Sequence, residues 1–115
     1  MAKEIIKNEE YTLGSGSLAI TVYSGDGNHS DIAIKVDGTL KINGSDEIKD
    51  FDLKEVTALK GKEIYVYGRI TKTGMGDHVS FTIKLKDDEN EKTYSYSTVE
   101  ADEDPIKYKV YITLN

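Results

Sequence analysis

Apolar and polar positions alternate with a period of two along most of the chain, and Gly, Asn and Asp punctuate the runs. Leu18, Ile20 and Val22 alternate with Ala19, Thr21 and Tyr23, and Ile32, Ile34 and Val36 alternate with Asp31, Ala33 and Lys35. Asp37-Gly38 is the kind of pair that type I′ hairpins favour, and Leu40 and Ile42 carry the next run. Ile64, Val66 and Gly68 alternate with Tyr65 and Tyr67. Phe81, Ile83 and Leu85 alternate with Ser80, Thr82 and Lys84, and Tyr94 and Tyr96 with Ser95 and Ser97. The longest run is Ile106, Tyr108, Val110, Ile112 and Leu114. It begins after Pro105, where a missing N–H does least harm. Phe51, Leu53, Val56 and Leu59 fit neither the strand nor the helix period. A strand to about Leu53 is expected there, then an irregular or helical turn before Gly61.

Seven to eight short strands, each with one apolar face, require a second layer to cover that face. The expected fold is all-β, an antiparallel β-sandwich, with a small β-barrel as the alternative. The two Cys around a Trp that mark immunoglobulin domains are absent. Residues 1–10 are expected as an N-terminal arm and residues 11–115 as a single sandwich domain. If successive strands run up and down, the loops near 24–30, 44–48, 73–78 and 100–105 gather at one end. Those near 14–17, 37–38, 60–62 and 87–91 gather at the other. An internal echo accompanies this: Gly25-Asp26-Gly27-Asn28-His29 and Gly74-Met75-Gly76-Asp77-His78 each precede a similar apolar run, as two similar hairpins would.

Composition narrows the function classes. The 115 residues carry a formal charge of −6, include no Cys or Trp, and have Arg69 as the only arginine. Phosphate neutralisation needs a cationic surface, so nucleic acid is not expected as a partner. No run approaches the roughly 18 apolar residues of a membrane span. A Cys-based zinc site and a disulfide framework are excluded. Met1 to Glu10 lacks the apolar core of a signal peptide, which predicts a cytoplasmic chain, or a secreted one already trimmed.

Calcium takes six to eight oxygen ligands, and loops at one end of a sandwich can supply them. Asp26, Asn28, Asp31, Asp77, Asp102 and Asp104 are the candidate ligands, and no cofactor is expected unless calcium binds there. Asp26 to Ser30 opens like an EF-hand loop but has Asp31 where that loop needs Gly. Leu18-Ala19-Ile20-Thr21-Val22, then Ser30-Asp31 and Ile34-Lys35-Val36, resembles the first strands of the calcium-binding C2 class of lipid-recognition domains. The likeness spans under a fifth of the chain. It departs at Ile32-Ala33, where that class has a Pro-aromatic pair, and the family is not assigned. His29 and His78 could ligate a transition metal or titrate as a pair near neutral pH. Each follows a turn, as solvated imidazoles do.

No nucleophile elbow, phosphate loop or catalytic Cys is present, so an enzyme is not expected. Eight of the ten aromatics are Tyr. Tyr65, Tyr67 and Tyr111 lie opposite the aliphatic face of their strands, as does Tyr23, and form the candidate partner-binding set. Tyr offers large contact area at low entropic cost. Tyr94, Tyr96 and Tyr108 are expected in the core. The favoured reading is a non-catalytic binding module that docks on a protein partner through a Tyr-bearing sheet face or a loop end. The alternatives are a calcium-dependent membrane or glycan binder and a small acidic inhibitor or immunity-type protein. Self-association as a homo-oligomer is compatible with free strand edges.

Overall fold

The structure, a computed structural model, describes residues 3–25, 28–71, 78–99 and 105–115. Among the described residues there are nine strands: β1 (Lys3–Tyr11), β2 (Ser17–Ser24), β3 (His29–Val36), β4 (Thr39–Ser45), β5 (Glu47–Glu55), β6 (Glu63–Thr71), β7 (His78–Lys86), β8 (Glu91–Val99) and β9 (Ile106–Leu114). A single helical turn, α1 (Val56–Leu59), joins β5 to β6. A five-stranded sheet runs β1-β9-β6-β3-β4 and a four-stranded sheet runs β5-β2-β7-β8. The two sheets pack as a sandwich and do not close into a barrel. No helix among the described residues is long and apolar enough to cross a membrane.

Alternation decides which side chains enter the interior. In β9 the burial pattern is strictly two-fold, with Ile106, Tyr108, Val110, Ile112 and Leu114 all buried. Leu18, Ile20 and Val22 of β2 meet Phe81, Ile83 and Leu85 of β7 in the same interior. The aromatic centre of the core is a stack. Phe81 lies against Tyr108 with ring centroids 5.1 Å apart, and Tyr96 lies 6.0 Å from Tyr108 on the same stack. Gly68 makes room for it, since a Cβ there would run into the Phe81 ring.

Of the residues 1–10 expected as an arm, 3–10 form strand β1 together with Tyr11, and β1 pairs parallel to β9 at the edge of the larger sheet. This is why the strand count is nine and not seven or eight. The segment looks non-strand-like because its inward set is only partly apolar. Ile5 and Tyr11 pack on the core, whereas Glu9 accepts a hydrogen bond from the Tyr96 hydroxyl. The Lys7 amine stands 5.8 Å over the Tyr96 ring.

The unclear segment around Phe51 is β5 followed by α1, as expected in outline. Its register against β2 breaks twice, between Ser17 and Ala19 and between Ile20 and Val22. Two residues with left-handed backbone, Asp50 at φ 48° and Lys54 at φ 82°, sit at these bulges. Asp37 (φ 48°) and Gly38 (φ 83°) form the tight turn between β3 and β4 with the two positive φ values of type I′. The Gly25 and Gly74 segments, expected as two similar hairpins, lie largely outside the described residues (26–27 and 72–77). The strands on either side of each, β2 and β3 and likewise β6 and β7, belong to different sheets.

Asp87 ties the far end of the sandwich together. It is buried and accepts four hydrogen bonds: from the Gly14 N–H (2.8 Å), the Tyr11 hydroxyl (3.0 Å), and the Glu89 and Asn90 N–H groups (2.8 and 2.7 Å). Burial pushes its carboxyl pKa up, but the four donated bonds outweigh that and hold it below the usual carboxylate value. Burial, then the Asp87 partnership, pushes the Tyr11 hydroxyl well above its ordinary value.

Two outcomes are expected. Gly68→Ala forces a Cβ into the Phe81 ring and lowers unfolding free energy by about 1–3 kcal/mol in urea titration. Asp87 has a folded pKa below its unfolded one, so its contribution is present above about pH 4 and is lost as pH falls through the folded value. Asp87→Asn therefore lowers the melting temperature near neutral pH and flattens its decline below about pH 4, which a series of thermal melts reads.

Candidate functional site

The outer face of the five-stranded sheet can be read directly from its register. One row across it is Glu4, Lys107, Arg69, Asp31 and Ser45, from β1 to β4. The next is Ile6, Lys109, Tyr67, Ala33 and Asn43, and the third is Asn8, Tyr111, Tyr65, Lys35 and Leu40. Tyr65, Tyr67 and Tyr111 are thus neighbours on one surface. All three are half-buried by one another and by the lysine stems around them. Tyr65 and Tyr111 are directly opposed, with ring centroids 4.9 Å apart and planes tilted by 39°. Burial first, and Tyr111 second, raise the Tyr65 hydroxyl pKa above its ordinary value. Lys109 is held beside them by Glu4, at 3.1 Å.

Tyr23 does not join this group. It lies on β2 of the other sheet, opposite Thr82 of β7 and Glu47 of β5. The common feature was only its parity within its own strand, and parity does not reveal which sheet a strand enters. Tyr94 and Tyr108 are buried in the core, and Tyr96 is half-buried against it. Burial pushes the Tyr94 hydroxyl up to about 12.

Sequence reasoning missed two members of the tyrosine surface. Ile6 (58% exposed) and Leu40 (50% exposed) are the large apolar side chains exposed among the described residues, and both stand on this face, at its opposite edges. Ile6 had a usable signal: Ile5 and Ile6 are adjacent, so in a strand one of them must face outward. Leu40 had none. Leu40 and Ile42 share parity, yet a bulge opposite Ile34 and Lys35 turns Ile42 inward and Leu40 outward. Between Tyr67 and β4 the face dips into an open groove of about 340 Å³, lined by Asp31, Ala33, Asn43 and Ser45 among others.

Asp26, Asp77, Asp102 and Asp104 of the calcium set lie outside the described residues. Asn28 is buried beside the Ser24 hydroxyl, which donates to its carbonyl at 3.2 Å. Asp31 is exposed on the tyrosine face, opposite Arg69. His29 sits between two carboxylates, with Nδ1 2.8 Å from Asp46 and Nε2 3.7 Å from Asp31. Its two nitrogens face different acids, so the three groups do not converge on one point. No cluster of three or more His, Cys, Asp or Glu suited to a metal occurs among the described residues. Asp46 instead organises the β4–β5 turn. It has a left-handed backbone (φ 68°), accepts from the Ser30 N–H at 3.0 Å and donates its own N–H to the Ser30 carbonyl. The Ser30 bond, opposed by desolvation and helped by His29, holds the Asp46 carboxyl below its usual range. The side chain of His78 lies outside the described residues.

This surface separates two kinds of residue in a mutational test. Ile6→Thr and Leu40→Thr are expected to leave unfolding free energy within about 0.5 kcal/mol of the parent, since neither fills the core. Tyr65→Ala is expected to cost about 1 kcal/mol, because it breaks the ring pair with Tyr111. Denaturant titration of the three variants checks both. Comparison of the chain with protein-family models, curated proteins and solved structures gave no match, so its function has to be read from the chemistry of this face.

Proposed function

We propose that this chain is a non-catalytic β-sandwich binding module that docks on a protein partner through the outer face of its five-stranded sheet. The placement of Ile6 and Leu40 carries the reading. Exposed apolar side chains scattered singly need no explanation, but these two flank the same three tyrosines. The surface carries residue types common at protein interfaces: three tyrosines at its middle beside Lys109 and Lys35, Ile6 and Leu40 at its two edges, and Glu4, Arg69, Asp31 and Glu63 in the rows that flank them. The sheet holds the rings in place before any partner arrives, so little side-chain entropy remains to be lost on docking. Such a face is open to solvent and does not enclose a reacting bond, which favours recognition over catalysis. The sheet face is preferred to the loop end because its binding groups are neighbours in one register.

The test is site-directed photo-crosslinking in a lysate of the source cells. Crosslinkers at positions 40 and 67 are expected to capture one common protein, and a crosslinker at position 93, on the other sheet, is not. Against that purified protein, Tyr65→Ser with Tyr67→Ser is expected to weaken binding by about thirtyfold or more, the usual effect of truncating interface tyrosines, with the melt still cooperative. Undiminished binding by the folded double variant would remove the sheet face as the contact.

A further inference from the structure

Four strands lie at sheet edges: β1 and β4 in the larger sheet, β5 and β8 in the smaller. An edge presents a row of backbone N–H and C=O groups to any extended strand, and folded proteins blunt it with charges, bulges or brevity. Three of these edges carry such devices. β1 has Glu4, Lys7, Glu9 and Glu10. β4 is the shortest strand and breaks register against β3. β5 has two bulges, left-handed Asp50 and Lys54, and charges along its length. β8 has none of these along most of its length. It pairs with β7 without a register break over nine residue pairs. Its charges are confined to Glu91 and Lys92, and the stretch from Thr93 to Val99 holds no charge, Gly or Pro. From below, the Tyr94 and Tyr96 hydroxyls donate to the Glu10 carbonyl and the Glu9 carboxylate of β1 and brace β8 in extended form.

We propose that β8 pairs antiparallel with β8 of a second copy of this chain, joining two four-stranded sheets into one sheet of eight. Self-complementarity selects that occupant. A two-fold axis at Ser95 sets Ser95 against its own copy and Thr93 against Ser97, exposed hydroxyl residues of the kind that pair well across strands. The same register places Glu91 and Lys92 opposite positions 99 and 98, so no like charges on β8 meet. The contact is isologous and consumes the edge of both copies. The opposite edge of each small sheet is the guarded β5, so assembly stops at two. β1 lies beneath β8 and brings Glu9 and Glu10 toward the axis, and each chain carries a net −6. Salt therefore strengthens this pairing by screening, where it would weaken the docking of a cationic strand.

Sedimentation velocity over the micromolar range is expected to show monomer and dimer with no larger species, and tighter association at high than at low salt. Ser95→Lys sets like charges opposite each other and is expected to weaken association by about tenfold or more. Asn43→Lys, on the other sheet, is expected to leave it unchanged. Melting curves confirm that both variants are folded. A second measurement does not depend on the charge variant: the chain has no cysteine, so Ser95→Cys is expected to form a covalent dimer on mild oxidation and Asn43→Cys is not. A monomer at every concentration and salt, a dimer indifferent to Ser95→Lys, a series of larger species, or no crosslink through position 95 would each overturn the proposal.

Discussion

Burial of one parity of side chains between two sheets is the interaction on which everything else here rests. Each strand alone is only half apolar and gains little by forming. Stacked, the inner residues of β2, β7, β6 and β9 leave water together, and the gain of about 25 cal/mol per Å² of apolar surface sets the layer geometry. The outer parity is then released from any packing duty. The tyrosine face follows from this: Tyr65 and Tyr67 point outward because Ile64 and Val66 point inward.

Much of this was legible in the residues, and the failures share one cause. Strict alternation marked β2, β3, β6, β7 and β9, and the pair Asp37-Gly38 marked a turn with two positive φ values. Alternation misleads wherever a bulge inserts a residue. Phe51, Leu53 and Val56 look irregular because left-handed residues at Asp50 and Lys54 shift the count, so apolar positions recur at three, two and three from Ile48. The same kind of slip at β4 turned Leu40 outward. β1 was hidden for a different reason. At the rim of a sandwich an inward position need not be apolar, and Glu9 and Lys7 find their partners on Tyr96.

The candidate site was half readable for related reasons. Parity shows that a side chain faces outward from its strand and says nothing of which layer the strand joins. Tyr65, Tyr67 and Tyr111 share a surface because β6 and β9 are paired, while Tyr23 belongs to the opposite one. Pairing between distant strands is a property of the whole topology, and no local window contains it. The knot around Asp87 is similar. An Asp followed by Asp88, Glu89 and Asn90 looks like an ordinary polar turn, and only the arrival of Tyr11 and Gly14 makes its carboxylate a structural anchor.

The position of β9 has a consequence for how the chain reaches this state. β9 is the last described strand in the chain, yet it occupies an interior place in its sheet, between β1 and β6. During synthesis, both of those neighbours are made long before it. Until residues 106–114 leave the ribosome, β1 has no partner in its sheet, β6 has an unpaired side, and one wall of the interior is missing. Long-range closures of this sort are slow, and the waiting species exposes sticky edges. The charges Glu4, Lys7, Glu9 and Glu10 along β1 act against such association while that edge waits for β9.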